Sequence, residues 1–87
     1  MLRISINKDS EGIWLTVEGW LIGPWVDELR KQSEWALSRS ESVTLDLKKL
    51  WFVDSRGLAL LRELESRSVA QVNSSTFISQ QVKGTMQ

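Results

Sequence analysis

Neither cysteine nor histidine occurs in this 87-residue chain. The first absence excludes disulfide frameworks, thiolate nucleophiles and cysteine-based metal sites, and the second excludes imidazole bases and His-ligated zinc. Net charge is also absent: eleven basic residues balance eleven acidic ones. No overall field therefore steers the chain onto nucleic acid or an anionic membrane. No apolar run approaches the ~20 residues of a spanning helix. The start, Met1-Leu-Arg-Ile-Ser-Ile, reads as a strand and not as the apolar stretch of a signal peptide. These features lead to the expectation of a cytoplasmic protein without membrane insertion. A single core of this size makes one domain, residues 1–87. Against these absences stands one excess, five tryptophans with no tyrosine. Composition thus favours a binding or regulatory module over an enzyme.

Residues 2–7 alternate apolar and polar, as a half-buried strand does, and 8–12 form a turn cluster ending in glycine. Residues 13–22 alternate again, with Ile13, Leu15, Val17 and Leu21 on one face and Trp14, Thr16, Glu18 and Trp20 on the other. A hairpin follows. Gly23-Pro24 opens a helix, with proline where its missing N–H costs nothing. At 100° per residue Trp25, Val26, Leu29, Ser33, Ala36 and Leu37 gather on a core stripe, leaving Trp35 on the polar side. Asp27 and Lys31 are spaced as an i,i+4 ion pair. A Ser-rich break at 38–42 separates this helix from a third strand, 43–47. Residues 48–54 read as a loop in which Leu50 and Phe52 point inward and Trp51 does not. Ser55 is a suitable N-cap for the helix that continues through Leu58-Ala-Leu-Leu, and Asp54 adds negative charge where the helix dipole favours it. Residues 69–72 are a fourth strand and 76–83 a short last helix. This order predicts an α/β layer fold with about four strands in a mixed sheet. Because every strand alternates, one sheet face is expected to stay uncovered while the helices pack mainly on the other.

Carboxylates are the only acid–base candidates. Asp46 and Asp54 can approach each other across the strand-to-helix loop; the plain alternative is a solvated strand residue and a helix-end charge. Glu63 and Glu65 read as exposed decoration among Arg62 and Arg67. Asp54-Ser55-Arg56-Gly57 has one glycine and no following Lys-Ser/Thr, so it is not a phosphate loop, although Lys48, Lys49 and Arg56 flank it. Nothing in the sequence points to a metal or a cofactor. Ser55 can act simply as a cap; phosphorylated, it would place a dianion in the field of the same helix dipole.

The stretch Val43-Thr-Leu-Asp-Leu-Lys-Lys-Leu-Trp-Phe-Val-Asp-Ser-Arg-Gly-Leu-Ala-Leu-Leu resembles the signature of STAS domains, the anti-sigma factor antagonist family. That pattern is an apolar-Asp-Leu strand, a short loop, then Asp-Ser-Ser/Thr-Gly-Leu. Val17-Glu18-Gly19-Trp20-Leu21 is similar to the family's second-strand Leu-x-Gly-x-Leu, and Val72-Asn73-Ser74-Ser75 to the strand end before its last helix. The resemblance implies a STAS-like fold with a curtailed C-terminal helix and no enzymatic activity. It implies a partner-binding loop at Asp54, Ser55, Arg56, Gly57 and Leu58, with Ser55 as phosphoacceptor. The partner it implies is an anti-sigma factor or serine kinase in a partner-switching system; alternatively, the ATPase of a lipid-transporting ABC transporter. Two positions depart from the pattern: Arg56 stands where many members have a second hydroxyl, and Ile22 where the family often has aspartate. A small-ligand or nucleotide sensor is the least favoured reading.

The tryptophans raise a separate expectation. Trp25 reads as core, whereas Trp14, Trp20, Trp35 and Trp51 fall at surface positions. Trp14 and Trp20 share a strand face and would form a second interface, for a partner or a homodimer, away from Ser55. Burial of the pair under another segment is the alternative.

Overall fold

The alternation of the first twenty-one residues closes into an antiparallel hairpin. Strand β1 (Leu2–Asp9) pairs with β2 (Gly12–Leu21) from Leu2↔Gly19 to Asp9↔Gly12. The computed structural model describes residues 1–40 and 42–83, so Glu41 of the Ser-rich break lies outside the described residues. Helix α1 (Pro24–Arg39) follows, then β3 (Val43–Asp46), β4 (Leu50–Val53), α2 (Ser55–Ser66), β5 (Ala70–Val72) and α3 (Thr76–Lys83).

β2 is the central strand. β1 occupies one of its edges along nearly the whole length, and the other edge is shared by two parallel strands in succession. β3 pairs with Ile13–Thr16; β4 pairs with Gly19–Leu21 after a register shift at Gly19/Trp20. Between them residues 47–49 leave the ladder in a tight turn, where the Leu50 N–H donates to the Leu47 carbonyl at 3.1 Å. β5 adds in parallel outside β3, giving the order β1-β2-β3-β5 with β4 also on β2. Among the described residues the mixed sheet therefore has five strands, not four. The loop expected at 48–54 contains a strand, held by its ladder to β2, in which Leu50 and Val53 are buried while Trp51 and Phe52 between them are exposed. That in-out-out-in pattern has no period of two, so alternation could not reveal it.

Ile13, Leu15, Val17, Leu21, Val43, Leu45 and Leu47 are buried on one sheet face, under Val26, Leu29 and Ala36 of α1 and Leu60, Leu61 and Leu64 of α2. The residues alternating with them on β2 are exposed or half-buried, as expected for an uncovered face. α3 packs on α2 with Ile78 and Val82 buried. Close approach makes glycine necessary at position 57: a Cβ there would lie 2.5 Å from the Leu21 carbonyl oxygen. α2 can then seat directly on the end of β2.

Three side chains depart from expectation. Trp25 is 39% exposed and not in the core. Its angular position on α1 is right, but it sits in the opening turn, beyond Leu21 where β2 has ended. Trp35 is half-buried against the core, not on the polar side, with the Arg39 guanidinium 5.5 Å from its ring centre. Ala36 is small and fully buried, so α1 lies close to the sheet there and the larger neighbours Trp35 and Leu37 lean in from either side. Asp27 meets not Lys31 but Arg56 of α2 at 3.3 Å, while Lys31 lies 3.9 Å from Glu28.

Candidate functional site

The Asp54 carboxylate organises the loop between β4 and α2. Its Oδ1 accepts from the Gly57 N–H at 2.7 Å and its Oδ2 from the Gly23 N–H at 2.9 Å. Asp54, not Ser55, is therefore the N-cap of α2. Aspartate caps as well as serine, and the residue three before a buried Gly57 has the spacing to reach its N–H. The Asp54 N–H in turn donates to the Leu21 carbonyl at 3.2 Å. One residue thus joins the end of β2, the entrance to α1 and the start of α2. The Gly23 and Gly57 N–H groups hold its carboxyl below the usual carboxylate range, with Arg56 adding to the effect.

Freed from capping, Ser55 is the exposed first residue of α2, and its hydroxyl has no hydrogen-bond partner among the described residues. An acceptor here lies beside the unsatisfied N–H groups and the positive dipole end of a twelve-residue helix. Arg56 is exposed and turned toward Asp27, Gly57 is buried, and Leu58 is half-buried against the core. Of the five loop residues, Ser55 and Arg56 are the ones presented to solvent. Lys48 and Lys49 are exposed at the opposite end of β4.

Asp46 and Asp54 are not brought together as a pair. Asp46 accepts from the Lys48 N–H and from the Asn73 side-chain amide, both at 3.1 Å, and so braces β3 against the end of β5. Among the described residues no three carboxylates cluster as a metal site requires. None of their helices is long and apolar enough to cross a membrane.

The aromatic surface differs from the expected one. Trp14 and Trp20 do share the uncovered face, but six residues at ~3.3 Å each set them about 20 Å apart, with Thr16 and Glu18 between. Trp20 instead joins Ile22, Trp51 and Phe52 around a shallow apolar groove of about 350 Å³. Phe52, expected to point inward, is exposed and stands opposite Trp20 in the ladder. Through Ile22 and Phe52 the groove runs up to the two chain segments that Asp54 ties together, Gly23 and the β4 end. The Trp20 surface is thus next to the Ser55 loop and not remote from it. Trp51 is exposed as the sequence predicts, and Phe52 is the departure; the signal for a strand was the four-residue apolar run 50–53, too long for a solvated loop.

Also unanticipated is a chain of ion pairs between the two long helices. Arg30 donates to both oxygens of Glu63, at 2.8 and 3.0 Å, and Arg67 to both oxygens of Glu34, at 2.7 and 3.2 Å. Their guanidinium hydrogen bonds hold both glutamates below the usual carboxylate range. Glu63 is therefore a cross-helix partner and not loose surface charge. No model of a known protein family matches this chain, and no curated protein matches it.

Proposed function

We propose that the chain is a non-enzymatic regulatory module of STAS type, akin to an anti-sigma factor antagonist, that binds a protein partner through the start of α2. One observation carries the reading: Asp54 performs the capping, which leaves the Ser55 hydroxyl exposed and uncommitted at a helix N-terminus. A phosphate added to Ser55 would gain from the helix dipole in the free protein. In a packed complex the same dianion would be desolvated against the partner, so phosphorylation releases the partner. The sequence resemblance gives that partner its identity, an anti-sigma factor that is also a serine kinase.

A second reading is favoured by Arg56, whose guanidinium is engaged by Asp27 at 3.3 Å where a second hydroxyl would otherwise stand. It takes the loop as a phosphorylation-independent dock, for instance on the ATPase of an ABC lipid transporter. The test is a pull-down from native extract with wild type, Ser55→Ala and Ser55→Asp, read by mass spectrometry. Switching predicts a kinase captured by wild type and Ser55→Ala and lost with Ser55→Asp. Capture of an ATPase by all three variants supports the dock. Equal capture of a kinase by all three refutes phosphorylation control.

A further inference from the structure

β4 is paired on one side only. Its neighbour is β2, and among the described residues no strand pairs with its other edge. An unpaired edge beside exposed aromatic rings is a template for another strand, and its charges indicate which. Lys48 and Lys49 precede β4, and beside Lys49 and Trp51 lies Arg3, with Glu18 the one acidic residue of that hollow. Beyond the far end of β4 come Asp54 and the Asp27–Arg56 pair. The strand is therefore basic at its start, whereas at its end the charges are met locally, Asp54 by two backbone N–H groups and Asp27 by Arg56. A second β4 laid antiparallel, as a two-fold axis requires, keeps the two lysine pairs apart and sets each beside the other copy's Asp54 and Asp27; a parallel arrangement sets lysine on lysine.

The exposed area also fits. Trp20, Trp51 and Phe52 are 51%, 68% and 54% exposed. At roughly 200 Å² per aromatic residue they present about 350 Å². A standard interface buries about 800 Å² per partner, of which about 450–520 Å² is apolar. Three rings thus supply about two-thirds to three-quarters of the apolar surface needed. We propose that the chain forms a two-fold dimer in which the β4 edges meet antiparallel and the Trp20, Trp51 and Phe52 rings of the two copies pack together.

Sedimentation equilibrium of the full chain over a concentration series tests this. The expected result is a monomer–dimer equilibrium weakened about 30-fold or more by Trp51→Ser with Phe52→Ser, and unchanged by Trp14→Ala. Replacing Lys48 and Lys49 with glutamate puts acidic ends together and is expected to abolish the dimer; both lysines are exposed, so this variant keeps the test intact if the aromatic one fails to fold. A chain that is monomeric at every soluble concentration overturns the proposal, whether or not the same edge then takes up an extended peptide of another protein. So does a dimer that survives either set of substitutions.

Discussion

Replacing Asp54 should loosen three elements at once, and its two hydrogen bonds can be separated by the choice of substituent. Asp54→Ala removes the cap of α2, a loss of about 1 kcal/mol. It also removes the acceptor for the Gly23 N–H, half-buried at the entrance to α1; losing a hydrogen bond to a charged acceptor there costs about 1.5 kcal/mol. Together they amount to about 2–3 kcal/mol. For a domain of this length each kcal/mol moves the thermal midpoint by about 4–8 °C, so a drop of about 10–20 °C is expected in a thermal melt followed by circular dichroism. Asp54→Asn keeps one carbonyl oxygen for the Gly57 N–H but presents an amide NH₂ to the Gly23 N–H. It should therefore lose about half as much. The pH dependence provides a further check. The folded carboxyl is depressed relative to its unfolded value, so its contribution is fully present above about pH 4 and disappears as pH falls through the folded pKa. Asp54→Asn should flatten the loss of stability on that acid limb and leave the slope near neutrality unchanged. If Asp54→Ala melts within a degree or two of wild type, or if Asn is as damaging as Ala, the carboxylate does not join the two helix entrances.

Two other substitutions test the packing. Ser33 is fully buried in α1 and its hydroxyl has no hydrogen-bond partner among the described residues. Ser33→Ala removes that unpaired group and improves helix propensity, so it should stabilise by about 1–2 kcal/mol; a lowered midpoint would mean that the hydroxyl has found an acceptor. Gly57→Ala gains helix propensity but drives a methyl into the Leu21 carbonyl. A net loss of about 1–2 kcal/mol in urea unfolding is expected, and a more stable protein would mean that α2 does not sit directly on β2.

The parts of this architecture that obey a single period could be read from the sequence. β1, β2 and β3 alternate, and the stripe of Val26, Leu29, Ser33 and Ala36 holds to the 3.6-residue turn, so the hairpin, α1 and the covered sheet face were all legible. β4 was not, because the register shift in its pairing with β2 destroys the alternation. At the candidate site, the residue types make Ser55 a suitable cap, whereas Asp54 is the one that caps α2. The choice between two good capping residues depends on which can also reach Gly23, thirty-one positions distant. Surface position on a strand misled in the same way: facing alike brought Trp14 and Trp20 into one set, while the distance along β2 separates them. The Arg30–Glu63 and Arg67–Glu34 pairs join residues thirty-three positions apart, beyond any local spacing rule.

That near-constant offset has a mechanical consequence. Gly23 meets Asp54, Asp27 meets Arg56, Arg30 meets Glu63 and Glu34 meets Arg67, so α1 and α2 run side by side in the same direction and are fastened at successive heights. Two rods bolted along their length do not hinge separately. Sliding one of them over the sheet therefore means moving both.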